Sequence, residues 1–528
     1  MKEGYFKFVL IFILSCILMM GCVNSNTSTT SLSNSTNSTV SQLNTNETIE
    51  NATENETTNS MSNEILSTNE TSQENATAEN ATTIKLNPNS FVMALNSTDP
   101  NFSLTPASGS FLFTNGSDAW AVLSFYDNLN NRREAVIARI NEETREVKTA
   151  VSLGPFIGTV SFTTRIKFAS SLNRYILYLF ASFCANSTCS SYKSAKCIFN
   201  MDLNNVIKWS RCYSYPDFSQ EFIWNGKIYL ISSIAGSYVG EPNFVVLDGD
   251  TGEIIVSKRI IYNNTNTSLN SIYVDSSGIY IGGGGSYKQF LLKLDHNYNL
   301  VYIKEIGYNS TVYYSIKKLF ADENYLYIIA ATHSYELWKI DKQTGEAVFV
   351  KTILHNCPGN CYEIKDGLID NDALYFVASF NYWGGEGSYV FKLDKDGNLI
   401  WATNIKYCDT YECTEVLTNV SDGPDNTITL LGGMNKEDKK FSYLITLDKE
   451  TGLMPGYEDH ISNATADDIG YEEENYEDVY IKDMDFSLFS FEDVYPAEIQ
   501  PYPYYEENDV SSLVNATILF PSEEGSEE

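Results

Sequence analysis

The chain has 528 residues, 68 of them Asp or Glu and 35 Lys or Arg, for a net charge of −33; it carries 36 Tyr and 28 Phe but only four His. That balance excludes a nucleic-acid binder, which must neutralise phosphates with Lys and Arg. The four His (His296, His333, His355 and His460) form no metal-ligand spacing, and no H-E-x-x-H, G-x-S-x-G or P-loop pattern occurs.

Residues 1–22 have the layout of an export signal: Lys2 and Lys7, an apolar run over residues 8–20, then Gly21-Cys22. The stretch LMMGC at residues 18–22 resembles a lipoprotein cleavage box, which implies lipidation of Cys22. Residues 5–23 are also nearly long enough for an uncleaved membrane-spanning helix. Either anchor, lipid or helix, places the rest of the chain on the extracellular face of the cell membrane. Residues 23–85 are a Ser/Thr/Asn/Glu tract with too few apolar residues to offset its ordering entropy, so a disordered stalk is expected. It carries N-x-S/T acceptors at Asn26, Asn34, Asn37, Asn46, Asn51, Asn55, Asn69, Asn75 and Asn80, a density that points to a glycosylated spacer. Residues 86–455 add acceptors at Asn186, Asn263, Asn266, Asn309 and Asn419.

Residues 86–455 repeat one phrase seven times: an apolar residue, Asp or Asn, a turn, then an apolar strand. The copies are Ile140-Asn141, Met201-Asp202, Leu247-Asp248, Leu294-Asp295, Ile340-Asp341, Leu393-Asp394 and Leu447-Asp448. Asp202, Asp248, Asp295 and Asp341 are separated by 46, 47 and 46 residues. A period of about 40–50 with strands and turns in each unit marks a β-propeller. One unit reads as a buried strand over residues 324–331, an alternating strand over 336–341, a turn at residues 342–345 and an outer strand over 346–351. The expected fold is all-β, a seven-bladed β-propeller, with six or eight blades open at the degenerate first copy and at residues 89–106. Residues 90–95 are expected to close the ring beside the last blade.

The phrase FKLDKDGNLIW at residues 391–401 resembles a repeat of prokaryotic secreted β-propellers, and the turns at residues 248–253, 341–346 and 448–452 are similar to those of the pyrroloquinoline-quinone-like propeller superfamily. With the lipobox and stalk, the chain resembles a prokaryotic, archaeal-type cell-surface lipoprotein with a propeller head. The resemblance implies a fold and no activity. Quinone-dependent dehydrogenases with such turns use adjacent cysteines at the cofactor; this chain has no Cys-Cys pair, and the Trp after the turn survives only at Trp209 and Trp401. No cofactor is expected.

Eight cysteines lie in the head: Cys184, Cys189, Cys197, Cys212, Cys357, Cys361, Cys408 and Cys413. Outside the cell an even count predicts disulfides. A two-residue turn at Asn204-Asn205 sets Cys197 opposite Cys212, within bridging range. Cys184–Cys189, Cys357–Cys361 and Cys408–Cys413 then read as local clips, against the alternative of one zinc site formed by Cys357, Cys361, Cys408 and Cys413. Gly282 to Gly285 read as a tight strand connection, since no helix comes after them to hold a phosphate. The turns at Asp248 and Asp394 partly resemble calcium loops, but they lack the distal Glu and read as structural; no metal is expected. Tyr382 and Trp383, on a loop with two Gly, are candidate carbohydrate-stacking residues, against a plain packing pair.

Residues 456–528 are acidic and rich in Tyr and Pro. A solvated, largely disordered extension is expected; the alternatives are a segment that binds cations or a basic partner, and docking of residues 485–491 on the head. The function read from these features is a non-enzymatic surface binding or scaffold protein, with a cell-surface protein or glycan as partner. The second reading is an extracellular polysaccharide hydrolase or lyase using the propeller's central pocket.

Overall fold

A computed structural model of the chain describes residues 92–97, 102–105, 112–127, 132–156, 161–169, 172–184, 192–213, 218–232, 242–285, 288–308, 315–331, 334–355, 362–380, 387–406, 414–436, 439–454, 460–469, 471–472, 479–494, 498–499, 506–509 and 514–518. Residues 1–22 and 23–85, with Cys22 and the nine stalk acceptors, lie outside them.

The described residues form seven antiparallel sheets, one for each copy of the repeated phrase. Blade 5 shows the unit: from the axis outward, strands a to d are Ser315–Ala321, Tyr325–Ala331, Ser334–Asp341 and Ala347–His355. The middle strands are apolar because both their faces are covered by neighbouring blades. The a strands touch one another in cyclic order, and that of blade 7 (Thr414–Asp422) meets that of blade 1 (Leu112–Asn115), so the ring is closed. Seven hydrophobic cores fill the seven seams between blades.

Closure takes the expected route. Val92–Ser97 pairs antiparallel with Lys439–Asp448 and supplies the d strand of blade 7. The tail is the correction. Where described, its residues are ordered as a strap that adds a strand to the outer edge of six blades. Ile461–Ala464 lies on blade 6, Val479–Asp483 on blade 4, Phe489–Asp493 on blade 3, Glu498–Ile499 on blade 2, Glu506–Asp509 on blade 1 and Val514–Ile518 on blade 7. It passes blade 5 with the Glu472 amide donating to the Thr352 carbonyl at 3.0 Å. The strap thus travels the ring opposite to the chain order of the blades. An unpaired sheet edge offers a row of donors and acceptors, and the strap satisfies them. Its acids are matched by cations of the d strands: Lys258 with Asp493, Arg259 with Glu492 and Lys304 with Asp483. The docking option for residues 485–491 holds at Phe489, whose ring lies 4.9 Å from Tyr262 and 5.4 Å from Phe290, while Phe486 stays exposed.

The repeated Asp, or Asn141 in blade 1, fixes each c–d turn. Asp341 Oδ1 accepts the amides of Gln343 (3.0 Å) and Thr344 (2.8 Å), and Asp394 Oδ1 accepts those of Asp396 (2.9 Å) and Asn398 (2.8 Å). The Gly of the Thr-Gly turns has positive φ and seats an aromatic ring of the preceding blade: a Cβ on Gly252 would stand 2.8 Å from Trp209, and one on Gly452 2.5 Å from Trp401. Each indole then donates across the seam, Trp209 to the Gly249 carbonyl (2.9 Å) and Trp401 to that of Lys449 (3.1 Å).

Cys197 and Cys212 are directly opposed and bonded, with Cα atoms 4.1 Å apart. The register arises differently from the expected two-residue turn. The Asp202 amide donates to the Val206 carbonyl, Met201 faces Ile207, and a bulge before Trp209 restores the pairing. The Gly run is corrected too. Gly282 to Gly284 lie inside strand b of blade 4 (Gly278–Gly285), paired on both sides, rather than in a connection. Bare backbone is needed there because a Cβ on Gly282 would stand 2.6 Å from Ile316 of blade 5.

Candidate functional site

The axis is where seven blades present side chains to one place. The a strands of blades 3 to 7 share a feature: each slips register by one residue at the same level, between Phe218 and Gln220, Leu269 and Ser271, Ile316 and Lys318, Ile364 and Asp366, and Leu417 and Asn419. A bulge re-aims side chains. Here the residues after it bond sideways to the next blade and form a polar girdle.

Gln220 Oε1 accepts from the Ser271 hydroxyl at 3.0 Å and the Ile272 amide at 3.1 Å. Ser219 Oγ donates to the Leu269 carbonyl at 2.8 Å. Lys318 pairs with Asp366. The other Asp366 oxygen accepts from Asn419 Nδ2 and the Val420 amide, each at 3.2 Å, so this buried carboxylate ties blades 5, 6 and 7 together. Lys365 Nζ stands 2.6 Å from Glu363. Lys317, at a bulge, is exposed. Burial of Asn419, with its amide nitrogen donating to Asp366, removes it from the candidate glycan acceptors.

Sequence reasoning missed this girdle, although a signal was present. Each a strand breaks its alternation with two adjacent polar residues: Ser219-Gln220, Asn270-Ser271, Lys317-Lys318, Lys365-Asp366 and Thr418-Asn419.

At the turn face, cations of the repeat bridge the seams. Lys293 Nζ donates to the Lys342 carbonyl (2.9 Å), Lys392 Nζ to that of Lys449 (3.0 Å), and Lys339 pairs with Asp396 at 2.8 Å. Burial pulls Lys293 below the usual lysine range even though Asp275 stands nearby. Asp275 is held below the carboxylate range against its own burial by Lys342 and Ser277. At the strap, burial opposes ionisation of Glu305, but Lys288, Tyr480 and Lys482 hold its carboxyl below the usual range.

Of the other sequence candidates, Cys184 ends a strand opposite Tyr192. Cys189, Cys357, Cys361, Cys408, Cys413, Tyr382 and Trp383 lie outside the described residues. His296 stacks on Trp224 at 4.4 Å, and His460 Nδ1 lies 3.3 Å from the Lys406 carbonyl. Among the described residues, no three His, Cys, Asp or Glu stand together as a metal site, and no helix is long and apolar enough to cross a membrane.

No family model matches the chain, and no curated protein matches it. Among solved structures, it is similar to the β-propeller domain of the Trilobed protease from Pyrococcus furiosus, at 11% identity and a TM-score of 0.37 over 69% of this chain and 98% of that one. It is also similar to a prolyl endopeptidase structure (14%, TM-score 0.38, 65% of this chain and 48% of that one). A third likeness is to Pyrococcus horikoshii acylaminoacyl peptidase (11%, TM-score 0.36, 61% and 49%). The matches thus span about half the length of the latter two chains.

Proposed function

We propose that the protein is a non-enzymatic binding or scaffold protein of the cell surface: a seven-bladed head, carried by an N-terminal anchor and a glycosylated stalk, that engages a surface protein or glycan. The observation that carries this reading is the girdle. Its carboxylates are committed to Lys or amide partners, Asp366 to Lys318 and Asn419, Glu363 to Lys365. General acid–base chemistry needs a carboxylate within reach of a substrate proton and tuned to the working pH, whereas Asp366 joins three blades and Glu363 pairs within its own strand. The Cys197–Cys212 bond supports an oxidising compartment.

The test uses the full chain with isolated cell envelopes and with purified surface polysaccharide. Co-sedimentation without change in polysaccharide chain length is the expected result; release of shortened chains overturns the reading in favour of a hydrolase or lyase. Anchorage has its own check: Cys22→Ser is expected to shift the protein from the membrane fraction to the soluble one, and retention in the membrane fraction points to the helix anchor.

A further inference from the structure

We propose that the ring has one weak seam, between blades 7 and 1, and that the last strand of the C-terminal strap is the clasp that holds it shut. Three independent observations place the weakness there.

The first is the composition of the seam cores. Among the described residues, the core between blades 7 and 1 holds Leu95, Leu123, Val136, Ile140, Leu431 and Leu444 beside four alanines, and no ring. Each of the other six seams buries at least one large ring, such as Trp338 between blades 4 and 5 or Tyr443 between blades 6 and 7. Aromatic side chains bury about 150–250 Å² each and dominate such contacts, and the described core of the closing seam is the one without that contribution.

Second, this seam alone is not made by consecutive stretches of chain. It depends on Val92–Ser97, a six-residue strand delivered from the N-terminal side. Third, Glu142 of blade 1 is buried in the same seam with only one oxygen satisfied, by the Thr429 hydroxyl of blade 7 at 2.8 Å; its Oε2 has no partner among the described residues.

The last described strand of the strap lies at that place. Val514–Ile518 pairs with the free edge of the closing strand, Met93 facing Ile518 and Ser97 facing Val514. The closing strand thereby becomes an interior strand of a five-stranded sheet, held by a ladder on each side. Residues 1–91 precede this strand in the chain, so if they form the tether of the proposed function the clasp also secures the strand that follows the tether.

Amide hydrogen exchange of the full chain tests the clasp. Successive amides of Val92–Ser97 point to opposite edges, and those aimed at Lys439–Asp448 are bonded whether or not the strap is present. The comparison is with a chain ended after residue 509 and with a full-length Asn515→Pro/Ala516→Pro variant. Adjacent prolines remove one donor aimed at each edge, and the rest of the strap stays in place. The expected result is that the amides aimed at Lys439–Asp448 exchange tenfold or more faster in both variants while the b strands of blades 3 to 5 are unchanged. Unchanged protection of those amides overturns the clasp, and an equal loss in every blade overturns it too by showing a general stabiliser. The measurement does not involve the anchor or the binding partner, so its failure leaves the proposed function standing.

Discussion

At the closing seam Glu142 is 2% exposed, and burial pushes its carboxyl up to about 7; the Thr429 hydroxyl opposes the rise and nearby Asp118 adds to it. Asp118 is itself held ionised by Lys148 and Arg139. The folded chain therefore keeps a proton on Glu142 that the unfolded chain has lost. Stability from this group is complete below the unfolded value near 4.5, falls as pH rises, and levels off above about 7 with a loss of about 3 kcal/mol. Glu142→Gln keeps the bond from Thr429 and removes the titration, so the stability difference between variant and parent in urea melts is expected to grow from pH 5 to pH 8 in favour of the variant. The opposite sign would place the carboxylate in a solvated or cation-paired site. Asp366→Ala removes the ion pair to Lys318 and the acceptor of Asn419; breaking a largely buried pair costs about 3 kcal/mol, read as a lower denaturation midpoint with unchanged slope.

Among the elements, the c–d turn was legible because its chemistry is local: an Asp accepting amides two and then three or four residues on needs only its own hexapeptide. The Cys197–Cys212 pairing was legible for the same reason, although a compensating bulge produced the register. Serine at both cysteines removes the cross-link over a separation of 15 residues and is expected to cost about 3 kcal/mol, measured as a lower midpoint than in the oxidised parent. The Gly run was misread because its cause lies in the next blade. Gly282 is bare since Ile316 of blade 5 packs on it, and Gly282→Ala is expected to destabilise by about 1–3 kcal/mol through overpacking, with Gly282→Val worse. The strap was the hardest element to read. Its strands run two to five residues, too short for a period, and the segment that holds them is acidic, with Pro496, Pro501 and Pro503 between the later strands. What orders them is a set of edges that exist only once residues far apart in the chain have folded.

For the whole molecule, seven cores in a ring share the burial that a single core of this length would struggle to achieve, since each blade packs mainly on its neighbours. The repeat number was readable from the seven Asp or Asn turns, and the closing strand from the residues left over before the first of them. The site was less so: the girdle joins side chains of successive blades, and the spacing that brings Lys318, Asp366 and Asn419 together is set by the ring's rotation. The central claim is a closed seven-bladed disc bound by its own tail. Native-state hydrogen exchange across residues 461–518 tests it most directly. Protected amides in each of the six strap strands, slowed at least a hundredfold relative to an unstructured peptide, are the expected result; exchange at unstructured rates throughout that segment would contradict it.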